Sequence, residues 1–136
     1  MPDQSSTTER RNTLIVDDDR MIAKAVGVRM EAAGFRTNFA HDGLEALETV
    51  IRDKPDAVVL DIRMPKLDGL SVLAALQERD DTKHIPIIML SASAVDERRA
   101  LDAGAFCFLH KPYNAQSLLR AMNMALTGKN EANRKA

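Results

Sequence analysis

Ala57-Val58-Val59-Leu60-Asp61 sets four apolar side chains in a row and then a carboxylate. A strand with one face in water alternates apolar and polar residues; a run apolar at every position suits a parallel strand covered on both faces. Three further runs have the same character. Leu14-Ile15-Val16 leads into Asp17-Asp18-Asp19, Ile87-Ile88-Met89-Leu90 into Ser91, and Phe106-Cys107-Phe108-Leu109 into His110 and Lys111-Pro112. Arg36-Thr37-Asn38-Phe39-Ala40 is more polar, as befits an edge strand.

The segments between these runs have helical patterns. Ile22, Val26, Met30 and Ala33 form one stripe, with Gly34 as the stop. Gly43 to Asp53 is closed by Pro55, Leu67 to Arg79 ends in charged residues, and Val95 to Ala103 precedes Gly104. Asn114 caps a last helix with the stripe Leu118, Leu119, Met122 and Leu126, and Gly128 lies just beyond. Five strand–helix pairs in alternation predict an α/β fold: a five-stranded, parallel, doubly wound sheet with right-handed crossovers and five helices. The compact unit is expected over residues 12–127, between a flexible leader at 1–11 and a flexible tail at 128–136.

Composition narrows the function classes. Of 136 residues, 45% are hydrophobic and 29% charged, enough for a core without disulfide or metal staples. Nineteen basic against twenty acidic side chains give a net charge of −1, and there is no tryptophan. Direct nucleic-acid binding is therefore not expected. No apolar run approaches the roughly 18 residues that span a bilayer, so no membrane association is expected. A single cysteine, Cys107, excludes an internal disulfide framework and suits the cytoplasm.

In a doubly wound sheet, chemistry sits beyond the carboxyl ends of the strands. Asp17-Asp18-Asp19, Asp61, Ser91 and Lys111 all stand there. Carboxylates crowded on one rim repel one another and stay ionised together only with a cation. A hard, oxygen-loving divalent ion fits: Mg²⁺, with Mn²⁺ as a substitute. Asp61 then suits nucleophilic attack on phosphorus, with Lys111 and Ser91 holding the transferring oxygens. Each residue alone has a plainer use. Asp18 or Asp19 caps the helix starting near Arg20, Ser91 is a loop hydroxyl, and Lys111 a solvated amine.

With these motifs in place, residues 12–127 resemble the receiver domains of bacterial two-component response regulators. The resemblance rests on Leu14-Ile15-Val16-Asp17-Asp18-Asp19, Val59-Leu60-Asp61-Ile62-Arg63-Met64-Pro65 with Asp68-Gly69, Ser91-Ala92, Gly104-Ala105 and Lys111-Pro112. It implies a flavodoxin-like sheet in the order 2-1-3-4-5. It also implies that Asp61 is the phospho-acceptor, that Asp18 ligates Mg²⁺ directly and Asp17 through water, and that the Arg63 backbone carbonyl is a further ligand. Ser91 matches the hydroxyl that turns toward the phosphoryl group, and Phe108 the aromatic side chain that follows it inward. Lys111 matches the active-site lysine, joined to Pro112 by a cis bond. The donor implied is a histidine kinase or phosphotransfer protein, and the output a downstream protein target. Such a domain is no enzyme beyond promoting its own phosphorylation and dephosphorylation. The fourth and fifth helices, with the strand between them, are the implied surface for homodimerisation or docking, and Met124 is expected to be exposed there. Phe108 lacks the hydroxyl of the commoner tyrosine, Ser91 replaces the equally common threonine, and Arg63 and Ser93 occupy the positions that tune phosphoryl lifetime.

Two rival functions use the same residues. A small phosphatase of the haloacid dehalogenase type would use Asp17 with Asp19, but needs an acidic pair after Lys111, where only Glu131 follows. A flavin-binding module would need a hydroxyl- and glycine-rich phosphate loop where Asp17-Asp18-Asp19 stands. The chain reads either as a stand-alone regulator or as a fragment of a longer regulator or hybrid kinase. Cys107 is expected in the core, and His41, His84 and His110 share no metal-ligand spacing.

Overall fold

The computed structural model describes residues 10–135, with side-chain surroundings through residue 127. Strands β1 (Asn12–Val16), β2 (Arg36–Ala40), β3 (Ala57–Asp61), β4 (Ile87–Ser91) and β5 (Cys107–His110) alternate with five helices. These are α1 (Arg20–Ala32), α2 (Gly43–Asp53), α3 (Gly69–Gln77), α4 (Val95–Asp102) and α5 (Ala115–Lys135). All strand pairs are parallel and the sheet order is β2-β1-β3-β4-β5.

The period-two alternation of strand side chains splits the core in two. Leu14, Val16, Val58, Leu60, Ile87 and Met89 face α2, α3 and α4, packing with Ala46, Val50, Val72, Leu73, Leu76 and Ala100. Ile15, Val59, Ile88 and Leu90 face the other way, onto Ala23 and Met30 of α1 and Leu118 and Met122 of α5. Both faces being apolar explains the uninterrupted hydrophobic runs.

Some elements depart from expectation. The buried line of α1 is Ala23, Gly27 and Met30. Of the expected stripe, Ile22 is 46% exposed, Val26 is half-buried and Ala33 is exposed. The helix turns its smallest residues inward because it lies close to β2: a Cβ on Gly27 would meet Phe39 Cζ at 2.5 Å. Gly34, at φ +101°, follows the helix as expected. Helix α3 is shorter than expected at both ends. Phe106 precedes β5 rather than opening it, and its N–H donates to the Ile87 carbonyl. Helix α5 does not stop at Gly128 but runs to Lys135; a helical glycine costs only about 1 kcal/mol. Residues 1–9 of the expected leader lie outside the described residues. Arg10 and Arg11 are held: Arg10 donates to Glu31 and the Phe35 carbonyl, and the Arg11 carbonyl accepts from Arg36 N.

Candidate functional site

Strands β1 and β3 are neighbours, with Val16 opposite Leu60. The residues that follow and close them, Asp17 and Asp61, therefore emerge side by side. Both are buried, each 4% exposed, while Asp18 is open to solvent. One carboxylate oxygen from each of Asp17, Asp18 and Asp61 lies within 4.8 Å of the other two.

The third aspartate of the run has a separate task. Asp19 caps α1, its carboxylate accepting from Met21 N and Ile22 N at 3.0 and 3.1 Å. That settles which member of the run is the cap. Asp17 is fixed in turn: its Oδ1 accepts from Asp19 N at 2.9 Å, and its carbonyl oxygen lies 3.0 Å from His41 Nδ1.

Burial pushes the Asp61 carboxyl above its ordinary pKa, against the pull of the Lys111 ammonium, whose Nζ donates to Asp61 Oδ2 at 3.0 Å. Burial also raises Asp17, opposed by the Asp19 N–H and reinforced by the Asp61 charge. Desolvated carboxylates that repel each other are what a divalent cation relieves, so this oxygen set fits Mg²⁺.

The loop after β3 is pinned at Gly69. Its N–H donates to the Ile62 carbonyl at 2.8 Å, and a Cβ there would come within 2.6 Å of the Asp61 carbonyl oxygen. Asp68 just before it caps α3 by accepting from Ser71 N.

Ser91, 1% exposed, ends β4. Its Oγ donates to Asp96 Oδ2 at 2.6 Å and accepts from Ser93 N at 3.0 Å. Asp96 is fully buried on α4, and the Arg63 guanidinium grips its carboxylate through Nε and Nη2 at 2.9 and 3.2 Å. Those hydrogen bonds hold the Asp96 carboxyl below the usual range despite its burial. Phe108 is half-buried opposite Met89 and packs on the α2–α4 side of the sheet. The Lys111–Pro112 bond is cis. Cys107 is half-buried against the α1–α5 side, where burial pushes its thiol pKa up.

Thus Asp17, Asp18, Asp61 and Lys111 converge as the sequence suggests, while Ser91 is engaged elsewhere. The side chain of Arg63 turns to Asp96. Two site neighbours escaped the sequence reading. Asp96 shares the first turn of α4 with another acid, Glu97, and nothing in its local pattern sets it apart. Tyr113 is half-buried, and its phenol pKa is raised by burial and by the charges of Asp17 and Asp61.

Residues 13–123 match the response regulator receiver domain. The response regulator MprA of Mycobacterium ulcerans is 44% identical over 115 residues, covering 83% of this chain and 49% of that protein. The chain thus spans about half the length of the curated relatives it matches. Among solved structures, the Francisella response regulator 1452 receiver domain aligns with a TM-score of 0.81 at 32% identity, covering 87% of this chain and 98% of that one. The receiver domain of sensor histidine kinase PA1611 from Pseudomonas aeruginosa, which has a magnesium ion coordinated in its active-site cleft, aligns with a TM-score of 0.80 at 28% identity, covering 87% and 98%.

The chain belongs to the response regulator receiver domain family and to two-component signalling. The family is one of signalling domains. Among the described residues, no helix is long and apolar enough to cross a membrane.

Proposed function

We propose that residues 12–127 form a cytoplasmic receiver that takes a phosphoryl group on Asp61 from a histidine kinase or phosphotransfer protein and thereby changes a protein-binding surface. One observation carries this: buried Asp61 has an oxygen within 4.8 Å of two other carboxylates, with the Lys111 ammonium 3.0 Å from its Oδ2. Asp17, Asp18, Asp61 and the Arg63 carbonyl would hold Mg²⁺, or Mn²⁺ in its place. Such an ion supplies positive charge to the oxygens of the transferring group.

An Asp61 carboxylate oxygen attacks phosphorus, forming an O–P bond as the P–N bond to the donor histidine breaks; with the donor ring protonated at its other nitrogen, the bonding pair returns to the ring and neutral imidazole departs. Lys111 already touches Asp61 Oδ2 and is placed to pass to a phosphoryl oxygen as charge moves there. The Ser91 hydroxyl then exchanges its present partner for the phosphoryl group, and Phe108 follows it. This is a two-state shift whose differential contact is the Ser91–phosphoryl hydrogen bond. The changing surface comprises α4, β5 and α5, and a protein target or a second copy of the chain docks there. Exposed Leu101, Phe106 and Met124 give it apolar anchors.

Acetyl phosphate tests the assignment, since it carries its own leaving group. In the presence of Mg²⁺ the intact mass is expected to rise by one phosphoryl group. Asp61→Asn or a chelator should abolish the rise; labelling that survives either change refutes the assignment.

A further inference from the structure

We infer that Asp96 is the positioning residue that holds Ser91 away from the acceptor, competing with the phosphoryl group for one hydroxyl proton. The inference rests on the proposed part of Ser91 in the switch. A serine hydroxyl has a single proton to donate. Here it goes to Asp96 Oδ2 at 2.6 Å, within the range of a charge-assisted O–H···O⁻ bond. Ser93 N–H occupies a lone pair of the same oxygen, fixing its direction from the other side. Ser91 therefore reaches a phosphoryl oxygen only by breaking the Asp96 bond.

The acceptor is itself immobilised. Asp96 is fully buried, and Arg63 grips it through two nitrogens while Arg99 Nη1 stands 3.4 Å from Oδ1. These guanidinium bonds remain when Ser91 leaves, so the exchange strands no buried charge. That makes the clasp reversible. Arg63 lies two residues beyond Asp61, so the clasp ties the first turn of α4 directly to the loop that follows the acceptor.

The test uses the full chain with Mg²⁺, titrated with beryllium trifluoride as an inert phosphoryl mimic and followed by amide NMR. The Ser93 amide reports on Ser91 directly. Asp96→Ala is expected to tighten binding about ten-fold, the equilibrium equivalent of one modest charge-assisted hydrogen bond. Asp96→Asn keeps a weaker acceptor and should tighten it less; it also serves if the alanine variant fails to fold. In a Ser91→Ala background, Asp96→Ala should change nothing. Tightening that persists without Ser91 would be a plain effect of removing negative charge near an anion, and overturns the proposal. Asp96→Ala binding like wild type overturns it too, and Ser91→Ala then separates the causes. If Ser91→Ala alone weakens binding, the hydroxyl does contact the mimic and only the clasp is wrong. If Ser91→Ala is also silent, the part assigned to Ser91 falls, and the clasp with it.

Discussion

Gly69 lies directly against the backbone of Asp61: a methyl there would sit 2.6 Å from the Asp61 carbonyl oxygen and 2.8 Å from Ile62 Cα. Both neighbours are main chain and cannot rotate away. Gly69→Ala must push the start of α3 off the end of β3, and overpacking of this kind costs about 1–3 kcal/mol. The urea midpoint should fall and phosphorylation by acetyl phosphate should slow. Ser71→Ala, exposed two residues further on, should leave both unchanged. Equal behaviour of the two variants would show that α3 slides without disturbing the acceptor.

Charge crowding predicts an unusual response to removing a carboxylate. Burial is the main cause of the raised pKa of both Asp17 and Asp61, and the Asp18 charge adds to it in each case. In chelator, Asp18→Ala should therefore melt at or above the wild-type temperature. Magnesium at a hundred times its dissociation constant should stabilise the wild type by about 2.7 kcal/mol through mass action, and the variant much less. A magnesium series read by thermal unfolding checks this. If Asp18→Ala gains as much as wild type, Asp18 is no ligand.

Acid should loosen the α1–β2 corner in a defined way. Glu31 accepts from Thr37 Oγ1 at 2.8 Å, Thr37 N at 3.0 Å and Arg10 Nη2 at 3.0 Å. The Thr37 hydroxyl, with the Thr37 N–H and Arg10 behind it, holds the Glu31 carboxyl below its ordinary value. A depressed folded pKa contributes stability that is complete above the unfolded value of about 4.3 and lost as pH falls through the folded one. Glu31→Gln should be less stable than wild type at neutral pH, and the gap should close in acid. Denaturant midpoints across that range decide it; a gap independent of pH contradicts the linkage.

Met124 is 59% exposed on α5, across the helix from buried Leu118, Met122 and Leu126. Met124→Glu should thus leave folding and Asp61 phosphorylation nearly unchanged. Phosphorylation-dependent self-association, measured by sedimentation with beryllium trifluoride, should weaken if α5 is part of the docking surface. Undiminished association would move that surface elsewhere.

How much of this was legible follows from what each residue reports. Strands buried on both faces advertise themselves by continuous apolar runs, and β2 by its polarity at the sheet edge. Helix α2 matched its expected bounds because Asp42 caps it and Pro55 lies just beyond its end. The face of α1 was misplaced because Ala23 and Gly27 are buried for their small size, while a search for bulky apolar side chains selects Ile22. The end of α5 was misplaced because one glycine is a weak stop. Asp17, Asp18, Asp61 and Lys111 were legible as strand-end residues of a single rim. Asp96 was not, since its partner Arg63 is 33 positions away and only the folded chain brings them together.

Because every strand runs the same way, the acidic rim collects only the carboxyl ends of strands. The chain enters the sheet at Asn12, at the opposite rim, and α5 begins beside Lys111 and heads back the same way. The entry therefore lies about one strand length, some 17 Å, from the chemistry, and the far end of α5, 21 residues on, about 30 Å from it. Tethering the unit through the Asn12 rim or the far end of α5 to a bead or a carrier should therefore leave Asp61 open to a phosphodonor, so that a single immobilised preparation is expected to be charged, washed and recharged.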